Sequence, residues 1–138
     1  MIRRVFVDSD VILDVALARE PFVEASRVVL ALLENGRAVG FASSNSITNI
    51  YYILRKAGGD SKARDFLGNL LSYITAVPIG HSDILNALQS DFSDFEDGVQ
   101  NYAALSNQCE CIVTRNIGDY EKSKLNVYLP SQFLSGYE

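Results

Sequence analysis

A three-layer α/β/α arrangement around a mostly parallel sheet is the fold class that this 138-residue sequence predicts. Three observations point to it. Short apolar runs without polar alternation recur along the chain, as strands buried on both faces require. The stretches between them carry apolar residues at helical spacing. The two kinds of segment alternate throughout, which calls for right-handed crossovers and helices on both faces of one sheet.

The first strand is expected over Arg4–Val7 and stops at Asp8, after which Val11, Ile12, Val15 and Ala16 recur at helical spacing. Pro21 suits the first turn of a second helix, whose Phe22, Ala25, Val29, Leu32 and Leu33 form one apolar face until Asn35-Gly36 ends it. Val39–Ala42 is the next strand. Ser43 and Ser44 can cap a third helix with Ile47, Ile50, Tyr51 and Leu54 on one side, closed by Gly58-Gly59. Asp60 restarts a fourth helix that runs to Tyr73. Thr75–Ile79 reads as a strand, Ser82–Ser90 and Asp94–Asn107 as helices, and Cys111–Thr114 and Asn126–Leu129 as the last strands. Pro130 opens a final turn.

The chain is 48% apolar and 21% charged, the balance of one compact soluble domain over residues 1–138. Two domains would each be too small to bury an adequate core. No run approaches the roughly 18 apolar residues of a membrane helix, and Met1–Val7 lacks the apolar region of a signal peptide. A cytoplasmic location is therefore expected, without membrane contact. Cys109 and Cys111 are too close for an ordinary disulfide and, with His81 the single histidine, too few for a zinc site. The net charge of −5 repels phosphate, so contact with nucleic acid has to come from a local basic patch or from metal ions.

In folds of this class ligands collect outside the carboxyl ends of the strands, where the strand order reverses. Asp8 is expected there, directly after the first strand, although Asp8 or Asp10 can also cap the following helix. Asp14 reads as a solvated or structural helix residue. Asp94, Asp97 and Asn101 share a helix face at i, i+3 and i+7 spacing, with Gly98 removing a side chain beside them. Asp94 also reads as an N-cap, and Asp97 as a complement to the helix dipole. The segment Thr114–Asp119 again puts polar residues after a strand, although Asp119 alone is an ordinary turn residue. If these groups converge, their repulsion requires a cation, and oxygen donors without His or Cys favour Mg²⁺ or Mn²⁺.

The stretches VFVDSDVILD at Val5–Asp14, SITNIYYILRK at Ser46–Lys56, DFEDGVQ at Asp94–Gln100 and IVTRNIGDY at Ile112–Tyr120, followed by LPSQFL, resemble the PIN-domain ribonucleases. That family includes the VapC-type toxins of toxin–antitoxin pairs. The resemblance implies a five-stranded parallel sheet in the order 3-2-1-4-5 between helices, with an Mg²⁺- or Mn²⁺-dependent acidic site for RNA hydrolysis. It implies Asp8, Asp97 and Asp119 as catalytic acids. Asp94 and Asn116 join them in holding metal, and Ser9, Asn49 and Thr114 support them. Arg55, Lys56 and Arg115 are candidates for steering substrate phosphates. Asn49 stands where many members carry Glu, as in one subgroup, and the common T-R-D reads Thr114-Arg115-Asn116, so the negative charge is reduced. An antitoxin protein and a second copy of the chain are the implied partners, beside RNA.

Two other readings are open. Asp8-Ser9-Asp10 matches the Asp-x-Asp nucleophile motif of haloacid-dehalogenase-like phosphatases, although the expected Thr or Val is Ile12 and no lysine follows a strand where phosphate would need it. A catalytically weak PIN module that binds RNA or a protein is the other, suggested by Asn49 and Asn116. His81 reads as a loop residue before a helix capped by Ser82, and the two cysteines as core packing. Tyr51 and Tyr52 read as core residues, with base stacking as the alternative.

Overall fold

The computed structural model describes residues 3–137. Strands β1 (Arg4–Val7), β2 (Val39–Ser43), β3 (Ile74–Val77), β4 (Cys111–Val113) and β5 (Asn126–Tyr128) form one sheet in the order β3-β2-β1-β4-β5. All its pairings are parallel, with Phe6 opposite Phe41 and Ile112 and with Ser43 opposite Val77. The helices are α1 (Ser9–Ala16), α2 (Val23–Glu34), α3 (Ser44–Gly58), α4 (Asp60–Leu70), α5 (His81–Leu88), α6 (Phe95–Ser106) and α7 (Pro130–Ser135). This is the architecture and strand order that the resemblance implies.

Alternation along β1 divides the interior. Val5 and Val7 point to a core shared with Val11 and Ile12 of α1, Val29 and Leu33 of α2, Ile50 and Leu54 of α3, Leu67 and Leu70 of α4, and Phe133 of α7. Phe6 points to the other face, where Phe41, Ile112, Ala104 of α6 and Tyr120 are buried with it. Burying apolar strands on both faces is what a parallel sheet needs, and it fixes which ends of the strands reach solvent.

Several element ends differ from expectation for local reasons. α2 begins at Val23, with Pro21 in the turn before it, because the amides of Phe22 and Val23 both donate to Arg19 O. α4 stops at Leu70. β3 ends at Val77 because Pro78 has no N–H for the ladder. Gly80, not Ser82, precedes α5, since the Asp83 carboxylate reaches back to accept from Gly80 N at 2.8 Å. His81 is therefore the exposed first residue of a helix. A single 3₁₀ turn, Ile117–Tyr120, was not legible in the sequence. Cys109 and Cys111 are buried free thiols, and burial pushes both up, Cys111 to about 11 and Cys109 to about 12. Among the described residues no helix is long and apolar enough to cross a membrane.

Candidate active site

The strand order reverses at β1, so the carboxyl ends of β1 and β4 border a crevice, and the first residues beyond them are Asp8 and Thr114. Asp8 N donates to Val113 O at 3.0 Å, and Thr114 N to Tyr128 O at 2.9 Å, which continues the ladder one step and sets the two side chains next to each other. Asp8 is both the N-cap of α1 and the centre of a hydrogen-bond network, with 7% of its surface exposed. Its Oδ1 accepts from Ser9 N at 2.8 Å and from Gln100 Nε2 at 3.2 Å. Its Oδ2 accepts from Thr114 Oγ1 at 2.9 Å and from the Tyr120 hydroxyl at 3.2 Å. Gln100 is oriented in turn: Ser46 Oγ donates to its Oε1 at 2.7 Å, and Ser43, the N-cap of α3, donates to Ser46 Oγ at 2.8 Å.

Asp10 sits in the first turn of α1, where a carboxylate suits the helix dipole, and its side chain reaches across to the loop after β4. The Asn116 amide donates to its Oδ2 at 2.8 Å, and Arg115 N at 3.3 Å. Burial first, and the neighbouring Asp8 second, raise the Asp10 carboxyl to about 7. Asp14 is structural and not solvated. With 1% exposure it pairs with Arg115, whose Nε lies 3.1 Å from Oδ2, and with Arg19 at 3.8 Å. Burial raises its carboxyl, and the two arginines oppose that rise. The Arg115 guanidinium also lies 4.2 Å from the centre of the Phe22 ring, so this candidate phosphate contact is engaged on both sides by its own chain.

On α6, Asp94 is the N-cap, accepting from Asp97 N at 3.0 Å. Asp97 is half-buried, and its carboxyl is pushed up to about 7. Burial is the main cause, followed by repulsion from Asp94, Asp8, Asp119 and Glu96. The charges that raise it include Asp8 after β1 and Asp119 in the 3₁₀ turn. Asp119 and Asn116 are exposed at and before the 3₁₀ turn. Gly98 is explained by packing: a Cβ there would come within 3.3 Å of Ala87 on α5 and of Phe92. Asn101 is buried and accepts from Ser123 Oγ at 2.6 Å.

Among the described residues no three His, Cys, Asp or Glu side chains are gathered tightly enough to hold an ion by themselves. The donor set nevertheless fits Mg²⁺ or Mn²⁺. It consists of carboxylate and amide oxygens, and Mg²⁺ keeps several waters and needs only one or two carboxylates. The repulsion at Asp97 and Asp10 is the charge such an ion would relieve. Beside the acids lies a cavity of about 380 Å³ lined by Ser9, Ser46, Asn49, Tyr52 and Glu96, among others. Tyr52 is 58% exposed, so it is not the core residue expected, while Tyr51 is half-buried and donates to Asp60. Arg55 and Lys56 are exposed in the last turn of α3. Two site residues were not expected from the sequence, Gln100 and Tyr120, and Asp10, expected as a helix cap or as part of an Asp-x-Asp motif, instead reaches the loop after β4. Gln100 lies three residues after Asp97 on one helix face, a signal that was there to be used; Tyr120 had none beyond adjacency to Asp119.

The family model described as "PIN domain" matches residues 4–118. A curated relative, Ribonuclease VapC1 of Aquifex aeolicus, is 26% identical over 122 residues, covering 85% of this chain and 84% of its own. Among solved structures, FitAcB from Neisseria gonorrhoeae is similar with a TM-score of 0.70 at 15% identity, covering 92% of this chain and 98% of its own. A toxin–antitoxin complex from Klebsiella pneumoniae is similar with a TM-score of 0.68 at 18% identity, covering 91% and 97%.

Proposed function

Because the chain belongs to the PIN-domain family, we propose that it is an endoribonuclease that hydrolyses RNA phosphodiester bonds with Mg²⁺ or Mn²⁺ and acts as the toxin of a toxin–antitoxin pair. The observation that carries the chemistry is Asp8, buried at the carboxyl end of β1 beside Thr114 and held by four donors; the Asp97 carboxyl, raised to about 7 by burial first and then by Asp94, Asp8 and Asp119, supports it. Acids at the switch point of a parallel sheet suit cation-assisted phosphoryl chemistry. When bound, a divalent ion supplies a water acidic enough to attack at neutral pH and neutralises charge on the phosphate. The chain supplies the rest. Asp8, fixed by four donors, and Asp97 and Asp119 are the acids that would hold the ion, with Asp94 and Asn116 beside them. Ser9 fixes Asp8 through its backbone amide, and Thr114 through its hydroxyl. Asn49 lines the adjoining cavity, and exposed Arg55 and Lys56 draw in phosphates that the net charge repels.

The ribonuclease named among the relatives and the toxin–antitoxin complex among the similar folds support this role. An antitoxin protein, a second copy of the chain and a cytoplasmic location go with it. A phosphatase using Asp8 and Asp10 is not favoured, because Asp10 is turned to Asn116 and Arg115 and no lysine follows a strand where a phosphate would need it. The test is cleavage of a single-stranded RNA with Mg²⁺, with Mn²⁺ and with EDTA. Cleavage is expected only with metal and is expected to be lost in Asp8→Asn and Asp97→Asn. Cleavage that persists in EDTA would refute the metal-dependent reading. RNA retained but uncut in every metal would mean that the chain is a binding module, as neutral Asn49 and Asn116 would allow.

A further inference from the structure

A carboxylate offers about four acceptor positions, and at Asp8 protein donors occupy all of them: Ser9 N, Gln100 Nε2, Thr114 Oγ1 and the Tyr120 hydroxyl. A cation that takes an Asp8 oxygen must therefore displace one donor. The four are not equally free to leave. Ser9 N belongs to the first turn of α1. Thr114 Oγ1, with Thr114 fully buried, is fixed from behind by Asn116 N at 3.1 Å, and the other acceptor in its reach, Asp10 Oδ2 at 3.4 Å, is already taken by Asn116 Nδ2 and Arg115 N. Gln100 is 4% exposed and clamped by Ser46. The Tyr120 hydroxyl makes its one hydrogen bond among the described residues to Asp8, at 3.2 Å, and a phenolic O–H turns about a single bond without moving the ring.

We propose that the Tyr120 hydroxyl is the exchangeable fourth donor of Asp8, competing with a divalent cation for Oδ2, while Ser9, Gln100 and Thr114 hold the carboxylate in place. This rests on the metal-dependent reading of the site. The ring is packed with Phe6, Phe41 and Ile112, so the hydroxyl returns to the same place each time the ion leaves. Tyr120 thus acts as a positioning residue that keeps Asp8 satisfied between binding events, at a cost in cation affinity.

Mn²⁺ binding by calorimetry, on the full chain without RNA, tests this. Tyr120→Phe keeps the ring and removes the competitor, so it should bind Mn²⁺ about fivefold more tightly, the worth of one ordinary hydrogen bond. In EDTA the variant should melt lower than wild type, and Mn²⁺ should raise its melting temperature by more. In wild type labelled at the tyrosine Cζ carbons, titration with diamagnetic Mg²⁺ should shift the Tyr120 signal along the same saturation curve as binding. Equal or weaker Mn²⁺ affinity in a folded Tyr120→Phe overturns the exchange, as does a Tyr120 signal that stays fixed at saturation, a measurement that needs no variant. If wild type takes up no Mn²⁺ at all, the metal reading falls and this inference with it; binding without the affinity change removes this inference alone.

Discussion

Replacing Asp97 by Asn should stabilise the metal-free protein, and the size of the gain should depend on pH in a defined direction. In the folded chain the Asp97 carboxyl is raised from 3.8 to about 7. At pH values below 3.8 it is protonated whether the chain is folded or not, and it costs nothing. Between 3.8 and 7 the unfolded chain loses the proton while the folded chain keeps it, so the residue becomes progressively destabilising. Above 7 the full cost is present. Three pKa units correspond to roughly 4 kcal/mol as a ceiling. Asp97 is only half-buried, so solvent screening reduces this to about 1–2 kcal/mol. Its carboxylate also lies in the first turn of α6, where the helix dipole returns about 0.5 kcal/mol that Asn forgoes. The net expectation is about 1 kcal/mol at pH 8, a rise of roughly 3–5 °C in Tm for a chain of this size. The assay is thermal unfolding by circular dichroism in EDTA, from pH 5.5 to 8, for both proteins. The variant's advantage should grow with pH, and Mn²⁺ should raise the Tm of wild type but not of Asp97→Asn. A variant less stable than wild type at pH 8, or a difference that does not change with pH, would refute the argument that like charge strains this residue.

Two further outcomes follow from the contacts around Asp10 and Asp14. Arg115→Ala leaves the Asp14 carboxylate buried with only the 3.8 Å contact to Arg19, so unfolding free energy in urea should fall by about 3 kcal/mol. The double variant Asp14→Leu/Arg115→Met should recover most of that loss, and no recovery would mean that Arg115 acts through Phe22 and not through the ion pair. Asn116→Asp replaces the amide that donates to Asp10 at 2.8 Å with a like charge, so it should lower Tm in EDTA at pH 8 and lower the Mn²⁺ concentration needed for half-maximal RNA cleavage. An unchanged activation curve would remove Asn116 from the metal site.

Which features were readable from the sequence depended on how far apart the responsible groups lie. The element order, the five strands, the end of β1 at Asp8 and the caps at Ser43 and Asp94 follow from periodicity and from side chains within a few residues of the backbone they serve, so local sequence determined them. The 3₁₀ turn at Ile117–Tyr120 depended on backbone choices that propensity does not resolve, and the start of α5 on the Asp83 carboxylate reaching back to Gly80 N. Asp8 and Asp97 could be placed because one follows a strand and the other lies on a helix face that periodicity locates, whereas Asp119 was named from the family resemblance. Gln100 and Tyr120 meet Asp8 from 92 and 112 positions away, and Arg115 reaches Asp14 from 101 away, through the register that places β4 next to β1. Whether Asp10 faces solvent or the loop after β4, and whether Arg115 is free for phosphate or held by Asp14, depends on which surfaces that pairing brings within 3 to 4 Å. A hydrogen bond is made only within that distance and an ion pair is strongest there, so the partnerships at the site were decided by tertiary packing, while the strand end that presents Asp8 and the helix that presents Asp97 were already determined by the sequence.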